Sequence, residues 1–320
     1  MMPQPLNDTE TASPLDLDEV EQITRAAWYY YNDGLTQNDV ADMLGVSRIK
    51  VSRLLEKGRQ SGLIELRINA PHAGCLTLQK QLIAAFGLND ARVVPSGGDL
   101  AVVPRIGRAA ASFLMQKLEA NDLLAIGWGE TVATALRYAA PVFPQNNVSL
   151  VSLTGGVSAY VGTTGLYGPQ NNAHLIPTPL RVSSKELAEM LRVEPYVSYV
   201  LDMAATARLA LTGVGVVSSA ATLVRYGYCT GTEIELFARR GAVGDILGYF
   251  YDAQGEIIDL DIHRHVVAIK VEDLRRIPHR AAAAAGPHKV DAILGLLRGQ
   301  LANILITDQA TAEELLRRGK

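Results

Sequence analysis

Apolar positions recur at helical spacing from Leu17 to Tyr31, where Val20, Ile23, Ala27, Trp28 and Tyr31 share one face, and Asn32-Asp33-Gly34 closes the run with a left-handed turn signal. A second helical run covers Gln37 to Leu44, with Val40 and Leu44 inward and the small Ala41 where another helix must cross closely. Gly45 reaches a positive φ cheaply and supplies the turn. Ser47 then stands as an N-cap for a third helix, whose buried stripe is Val51, Leu54 and Leu55. After Gly62, the segment Leu63 to Ile68 alternates well enough for a strand, a wing that sets Arg67 near the nucleic-acid backbone. The pattern predicts a winged helix-turn-helix over residues 17–70, preceded at 1–16 by a disordered lead-in without apolar periodicity.

Pro71-His72-Ala73-Gly74 reads as a linker. Leu76 to Phe86 repeats the helical pattern, and Ala91 to Val94 reads as a strand; residues 71–104 are a linker and oligomerisation segment or, equally, an enlarged edge of the second domain. From residue 105 to 320 the chain repeats strand, glycine-bearing loop and helix. Leu123 to Ile126 leads into Gly127-Trp128-Gly129-Glu130-Thr131, Val148 to Leu153 into Thr154-Gly155-Gly156, Leu209 to Thr212 into Gly213-Val214-Gly215, Ala281 to Ala285 into Gly286-Pro287-His288-Lys289, and Ile304 to Thr307 into Asp308. Near-continuous apolar strands alternating with helices predict an α/β, Rossmann-like domain whose parallel sheet is covered on both faces. Such sheets bind ligands beyond the carboxyl ends of their strands.

At 320 residues, with 48% hydrophobic and 20% charged positions, the chain can bury a sizeable core in two domains. No run approaches a membrane span and the N-terminus lacks the order of a signal peptide, so a cytoplasmic location is expected. Cys75 and Cys229 stand alone, which indicates neither a disulfide framework nor a zinc site. The net charge of −3 is unevenly spread: Arg48 to Arg59 holds five basic residues against the single Glu56. The face opposite the Val51 stripe is therefore suited to the major groove of DNA, and Thr36, Gln37, Ser47, Arg48, Lys50, Ser52, Arg53 and Lys57 are its candidate contacts.

The glycine loops are the place to seek a small molecule. Thr154-Gly155-Gly156 can aim backbone N–H groups and a hydroxyl at a phosphate, and Lys289 at a helix start invites a compensating anion. Trp128, Gly129 and Thr131 occupy a further loop of the same kind. Asp245, a lone carboxylate within Gly241 to Gly248, suits sugar hydroxyls, although a satisfied buried Asp or a helix cap has the same appearance. Arg181 fits a phosphate or braces a loop. His263 and His265 alternate as on a strand and read as a surface pair in the absence of a third metal ligand. With no GxGxxG or GxxxxGK[ST] motif, neither a nucleotide nor any other cofactor is expected.

Ala27-Trp28-Tyr29-Tyr30-Tyr31, Gly34-Leu35-Thr36-Gln37, Val51-Ser52-Arg53-Leu54-Leu55 and Gly62-Leu63-Ile64, together with Ser152 to Gly156, Gly213-Val214-Gly215, Gly241 to Gly248 and Asn303 to Asp308, resemble the SorC family of bacterial sugar-responsive regulators. The resemblance runs from about residue 17 to the C-terminus and departs at 128–140 and 158–176. It implies a regulator, assembled as a dimer or tetramer, whose effector domain shares the fold of sugar-phosphate isomerases and deaminases. It further implies a phosphate site at Thr154, Gly155, Gly156 and Lys289, with Asp245 on the sugar-like part. In one branch of the family the effector is phosphorylated autoinducer-2, which releases a repressor from operator DNA; in others it is a phosphorylated polyol or sugar. An enzyme of the same fold is the competing reading. Catalysis there requires positioned acids and bases, of which the glycine loops show only Asp245.

Overall fold

Thr36 starts the second helix by a reciprocal cap: its hydroxyl accepts from the Asp39 N–H at 3.3 Å and donates to the Asp39 carboxylate at 2.7 Å, while its own N–H donates to that carboxylate at 3.0 Å. In this computed structural model, which describes residues 17–65, 73–97, 101–157 and 172–319, the chain divides into two units, Met1–Asn69 and Ala70–Lys320. The first contains α1 (Leu17–Ala27), α2 (Gln37–Leu44) and α3 (Arg48–Gln60). Gly45 ends α2 at φ 67°, and Ser47 caps α3 by accepting from the Lys50 N–H at 3.2 Å. Ile23, Ala26, Val40, Ala41, Val51, Leu54 and Leu55 make the core, with Ala27 and Leu44 packed against it; α2 and α3 follow the apolar spacing, while in the first helix Ala26 joins the core and Val20 does not.

Two details of this unit differ from the pattern. The first helix widens after Ala27 into a π-turn, Trp28–Asn32, with the Asp33 N–H reaching Trp28 O at 3.1 Å. The extra residue in that turn rotates Tyr29 and Tyr30 against the core and leaves Trp28 exposed. Leu63 to Glu65 form no strand; Ile64 instead packs on the core and its N–H donates to Gly58 O at 2.9 Å. The remainder of the expected wing, including Arg67, lies outside the described residues.

The second unit begins with α4 (Ala73–Phe86) and β1 (Asp90–Val94). α5 (Val102–Lys117), β2 (Leu123–Ile126), α6 (Glu130–Ala139), β3 (Ser149–Ser152) and β4 (Ala173–His174) come after these. Next are α7 (Lys185–Val193), α8 (Pro195–Ala205), β5 (Leu209–Thr212), β6 (Gly215–Val216), α9 (Thr222–Arg225) and α10 (Gly231–Arg239). The chain finishes with β7 (Gly244–Ile246), β8 (Tyr249–Tyr251), α11 (Val271–Arg276), β9 (His279–Ala283), α12 (Val290–Arg298), β10 (Ile304–Asp308) and α13 (Gln309–Arg318).

A seven-stranded sheet runs β1-β10-β9-β5-β2-β3-β4, all neighbours parallel. Alternate side chains supply both of its buried faces: Ala125, Val151, Ala210 and Leu305 on one, Leu124, Ile126, Leu150, Leu211 and Ile306 on the other. β1 joins this sheet and α4 packs on it, which places both at the edge of the second domain. β1 is its edge strand, and α4 packs on β1 and α13, with the Gln79 side chain accepting from the Val93 N–H at 3.0 Å. The chain moves outward from β2 through β3 to β4, then returns to place β5, β9 and β10 on the other side of β2. The β2/β5 boundary is thus the switch point at which a crevice opens beyond the carboxyl ends. A three-stranded antiparallel sheet, β6-β7-β8, stands beside it. His263 and His265 lie in a short 3-10 helix, Asp261–His265, not on a strand. His263 Nε2 accepts from the Phe250 N–H at 2.8 Å, and burial pushes its pKa down to about 4, so this imidazole is a neutral packing group.

Candidate functional site

The crevice at the switch point holds a small cavity of about 70 Å³, which shares Glu130, Val214, Gly215, Thr222 and Lys289 with an outer cleft of about 680 Å³ that is in the usual size class for a small-molecule site. The β2 loop contributes Trp128, Gly129, Glu130 and Thr131; the β5 loop contributes Gly213, Val214 and Gly215; the antiparallel sheet contributes Asp245, Leu247 and Gly248; and the β9 loop contributes Lys289. Two helix starts form part of the wall. α6 begins after Gly129 and α12 after Lys289, and neither receives a side-chain cap. At α6 the first-turn N–H groups have no carbonyl of their own helix to reach and offer donors to an anion, whereas the Val290 N–H of α12 reaches Pro287 O in the 3-10 turn before it, so that start adds positive potential.

Asp245 is 6% exposed, and the burial pushes its pKa up to about 6, against the opposing pull of the Gly248 N–H, which it accepts at 3.2 Å, and of the Lys289 charge. Gly215 makes room for it: a Cβ at that position would overlap Asp245 Oδ1. Burial also holds Lys289 below the usual lysine range, while Asp245 and Glu130 pull the other way. Its ammonium donates to Val214 O at 2.8 Å, which uses one of three donors and leaves two for a ligand. Trp128 meets Tyr226 and Tyr228 edge-on at 5.3 Å and 5.5 Å and forms an aromatic rim.

The structure therefore brings Trp128, Gly129, Thr131, Asp245 and Lys289 together, and sends two other sequence candidates elsewhere. Thr154 is buried with its hydroxyl donating to Val267 O at 3.2 Å; the Gly155 N–H donates to Val267 O at 2.8 Å and the Gly156 N–H to Thr178 O at 2.7 Å. These N–H groups are spent inside the protein and do not line the cavity. The glycine at 155 is required by packing, since a Cβ there would overlap Pro179 O. Arg181 likewise takes the bracing role: it donates to Tyr228 O at 2.8 Å and Glu233 Oε1 at 2.9 Å, and its hydrogen bonds hold the Glu233 carboxyl down to about 2.

Sequence reasoning missed Glu130, Thr222, Arg225 and His288. Arg225 on α9 pairs with Glu130 on α6 at 2.9 Å, and these two with Thr222, His288 and Lys289 border the outer cleft. Only the unpatterned segment between β6 and α10 carries Thr222 and Arg225, so no motif marked them.

On the first unit, Ser47, Arg48, Lys50, Ser52 and Arg53 are exposed along one side of α3, and the three cations make no ion pair among the described residues. Gln37 is half-buried at the start of α2, and Thr36 is engaged in its cap. Lys57 differs from the other cations, since its ammonium contacts Glu19 Oε1 at 2.5 Å and ties α3 to α1. No described helix is long and apolar enough to cross a membrane.

Comparison with known proteins gives the same division. A family model described as "Putative sugar-binding domain" matches residues 70–317, and a Crp-like helix-turn-helix domain matches residues 19–73. The transcriptional regulator LsrR of Enterobacter sp. (strain 638) is 43% identical over 305 residues, covering 94% of each chain. LsrR of Escherichia coli (strain SMS-3-5 / SECEC) is 42% identical over 315 residues, 98% of this chain and 99% of the relative. Among solved structures, the full-length sorbitol operon regulator SorC from Klebsiella pneumoniae superposes with a TM-score of 0.66 at 26% identity, over 93% of this chain and 99% of that one.

Proposed function

Because the chain belongs to the SorC family of transcriptional regulators with a sugar-binding domain, LsrR among them, we propose that it represses a carbohydrate or autoinducer-2 operon and leaves its operator when a phosphorylated, sugar-like effector fills the cavity. The observation that carries this reading is the pairing, in one crevice, of the buried acceptor Asp245 with the half-buried donor Lys289 beside the uncapped start of α6. A polyhydroxylated phosphate satisfies all of them: its anion sits among Lys289 and the first-turn N–H groups of Glu130 and Thr131, and its hydroxyls donate to Asp245. The phosphate is assigned to the β2 loop and Lys289, away from Thr154-Gly155-Gly156, whose N–H groups have internal partners. Arg48, Lys50, Ser52 and Arg53 face the DNA, and Thr36, Ser47 and Lys57 hold that face in place. The protein works in the cytoplasm as a dimer or tetramer and without turnover: the acid–base groups at the cavity are an acceptor matched by Lys289 and a Glu130 held by Arg225.

Calorimetry with phospho-autoinducer-2, small sugar phosphates and polyol phosphates, each beside its unphosphorylated counterpart, tests the site. Phosphorylated ligands should bind more tightly by about ten- to a hundred-fold, the value of a charge-assisted contact of about 1.5–3 kcal/mol. Equal affinity for the two forms defeats the phosphate assignment, and product formation on incubation defeats the assignment as a regulator without turnover. Which phosphate binds best decides between autoinducer-2 and a polyol or sugar.

A further inference from the structure

The exposed side of α3 is not uniformly polar. Val51, Leu54, Leu55 and Gly58 are the buried residues of this helix, and at about 100° per residue the direction opposite their mean falls on Ile49, with Arg53 one turn later on the same side. Ile49 is 67% exposed, second in the helix after its Ser47 cap, and stands among exposed Arg48, Lys50, Ser52 and Arg53. It takes no part in the core of its unit. As a β-branched residue it is also a weaker helix former than the Arg, Lys or Gln that would solvate such a face, so neither packing nor propensity accounts for it.

The first turn of the second helix is the part of a helix-turn-helix that meets base edges. The apolar group that a base pair presents in the major groove is the C5-methyl of thymine. We propose that Ile49 is a specificity residue that reads a thymine methyl, the branched end of its side chain and the methyl excluding water from one another. This rests on the DNA-reading assignment of the first unit. Arg53 stands four residues later, about 6 Å along the helix axis.

The test uses the full chain. Duplexes selected from a randomised pool define its binding sequence, and each thymine of a half-site is then replaced singly by deoxyuridine, which lacks only the methyl. At one thymine per half-site, deoxyuridine should weaken wild-type binding about three- to tenfold, the scale of burying one or two methyl groups. Ile49→Ala should bind the thymine duplex with that same loss and be indifferent to deoxyuridine at that position, while Arg53→Ala keeps the methyl dependence. Should Ile49→Ala bind too weakly to titrate, Ile49→Thr, which keeps the branch and one methyl, serves in its place with a reduced dependence. A selected sequence without methyl dependence at any thymine, or an Ile49→Ala chain with the full wild-type deoxyuridine penalty, overturns the role of Ile49 alone. A pool from which nothing is enriched overturns the DNA-reading assignment and the role of Ile49 with it.

Discussion

Asp245 and Gly215 occupy the same few ångströms for one reason. A carboxylate kept in the wall needs a gap in the facing strand, and glycine is the residue that leaves it. Gly215→Ala should therefore lower the melting temperature and abolish effector binding, since overpacking in a filled interior costs about 1–3 kcal/mol or more. Asp245 carries a pH signature of defined sign. Its pKa is raised to about 6 in the fold from the ordinary 3.8, so the folded chain holds the proton more tightly than the unfolded chain does between those values. The stability this group provides is complete below about pH 4 and is lost as pH rises through 6, by up to about 3 kcal/mol. Asp245→Asn keeps an acceptor for the Gly248 N–H and removes the charge; it should melt higher than wild type at pH 7.5, with the difference closing towards pH 4, and should bind effector weakly at both. At this scale the residue types in the glycine loops were legible and their directions were not. Gly155, Gly156 and Gly215 look alike in sequence, but the first two are shaped by Pro179, Thr178 and Val267 from distant segments and the third by Asp245.

Elements with a strong apolar period were the most legible part of the chain. α2, α3 and the turn between them obey local rules of cap, stripe and left-handed glycine, and each is satisfied by neighbours within a few residues. Leu55, almost fully buried in α3, should cost the first unit about 2–5 kcal/mol when replaced by Ala. Lys50→Ala and Arg53→Ala should each weaken binding to the selected duplex and reduce the slope of log affinity against log salt by about 1 for each phosphate no longer neutralised. Lys57→Ala should change that slope less, because its charge is already paired with Glu19, and gel-shift titrations at several salt concentrations separate the cases. The π-turn at Trp28–Asn32 escaped the sequence because Trp28 and Tyr31 are spaced as on an unbroken α-helix, whereas the added residue turns Tyr29 and Tyr30 inward instead. The helical conformation of His263 and His265 escaped because a period of two over three residues is too short to tell a strand from a 3-10 turn.

Across the whole molecule the parallel sheet was legible as a class and its order was not. β1 pairs with β10, more than two hundred positions away, and nothing local in Ala91 to Val94 names that partner. The same long-range assembly builds the cavity. Lys289→Ala should leave duplex binding intact and make it unresponsive to effector, which a gel shift with and without the preferred phosphate would register. The cavity takes its walls from Val103 through Lys289, whereas the described helices of the first unit are complete by Gln60. A ribosome adding about 5–20 residues per second therefore completes these helices some ten seconds to under a minute before it adds the last residue of the cavity wall, so the first unit can begin to fold while the sensor is still without its far wall.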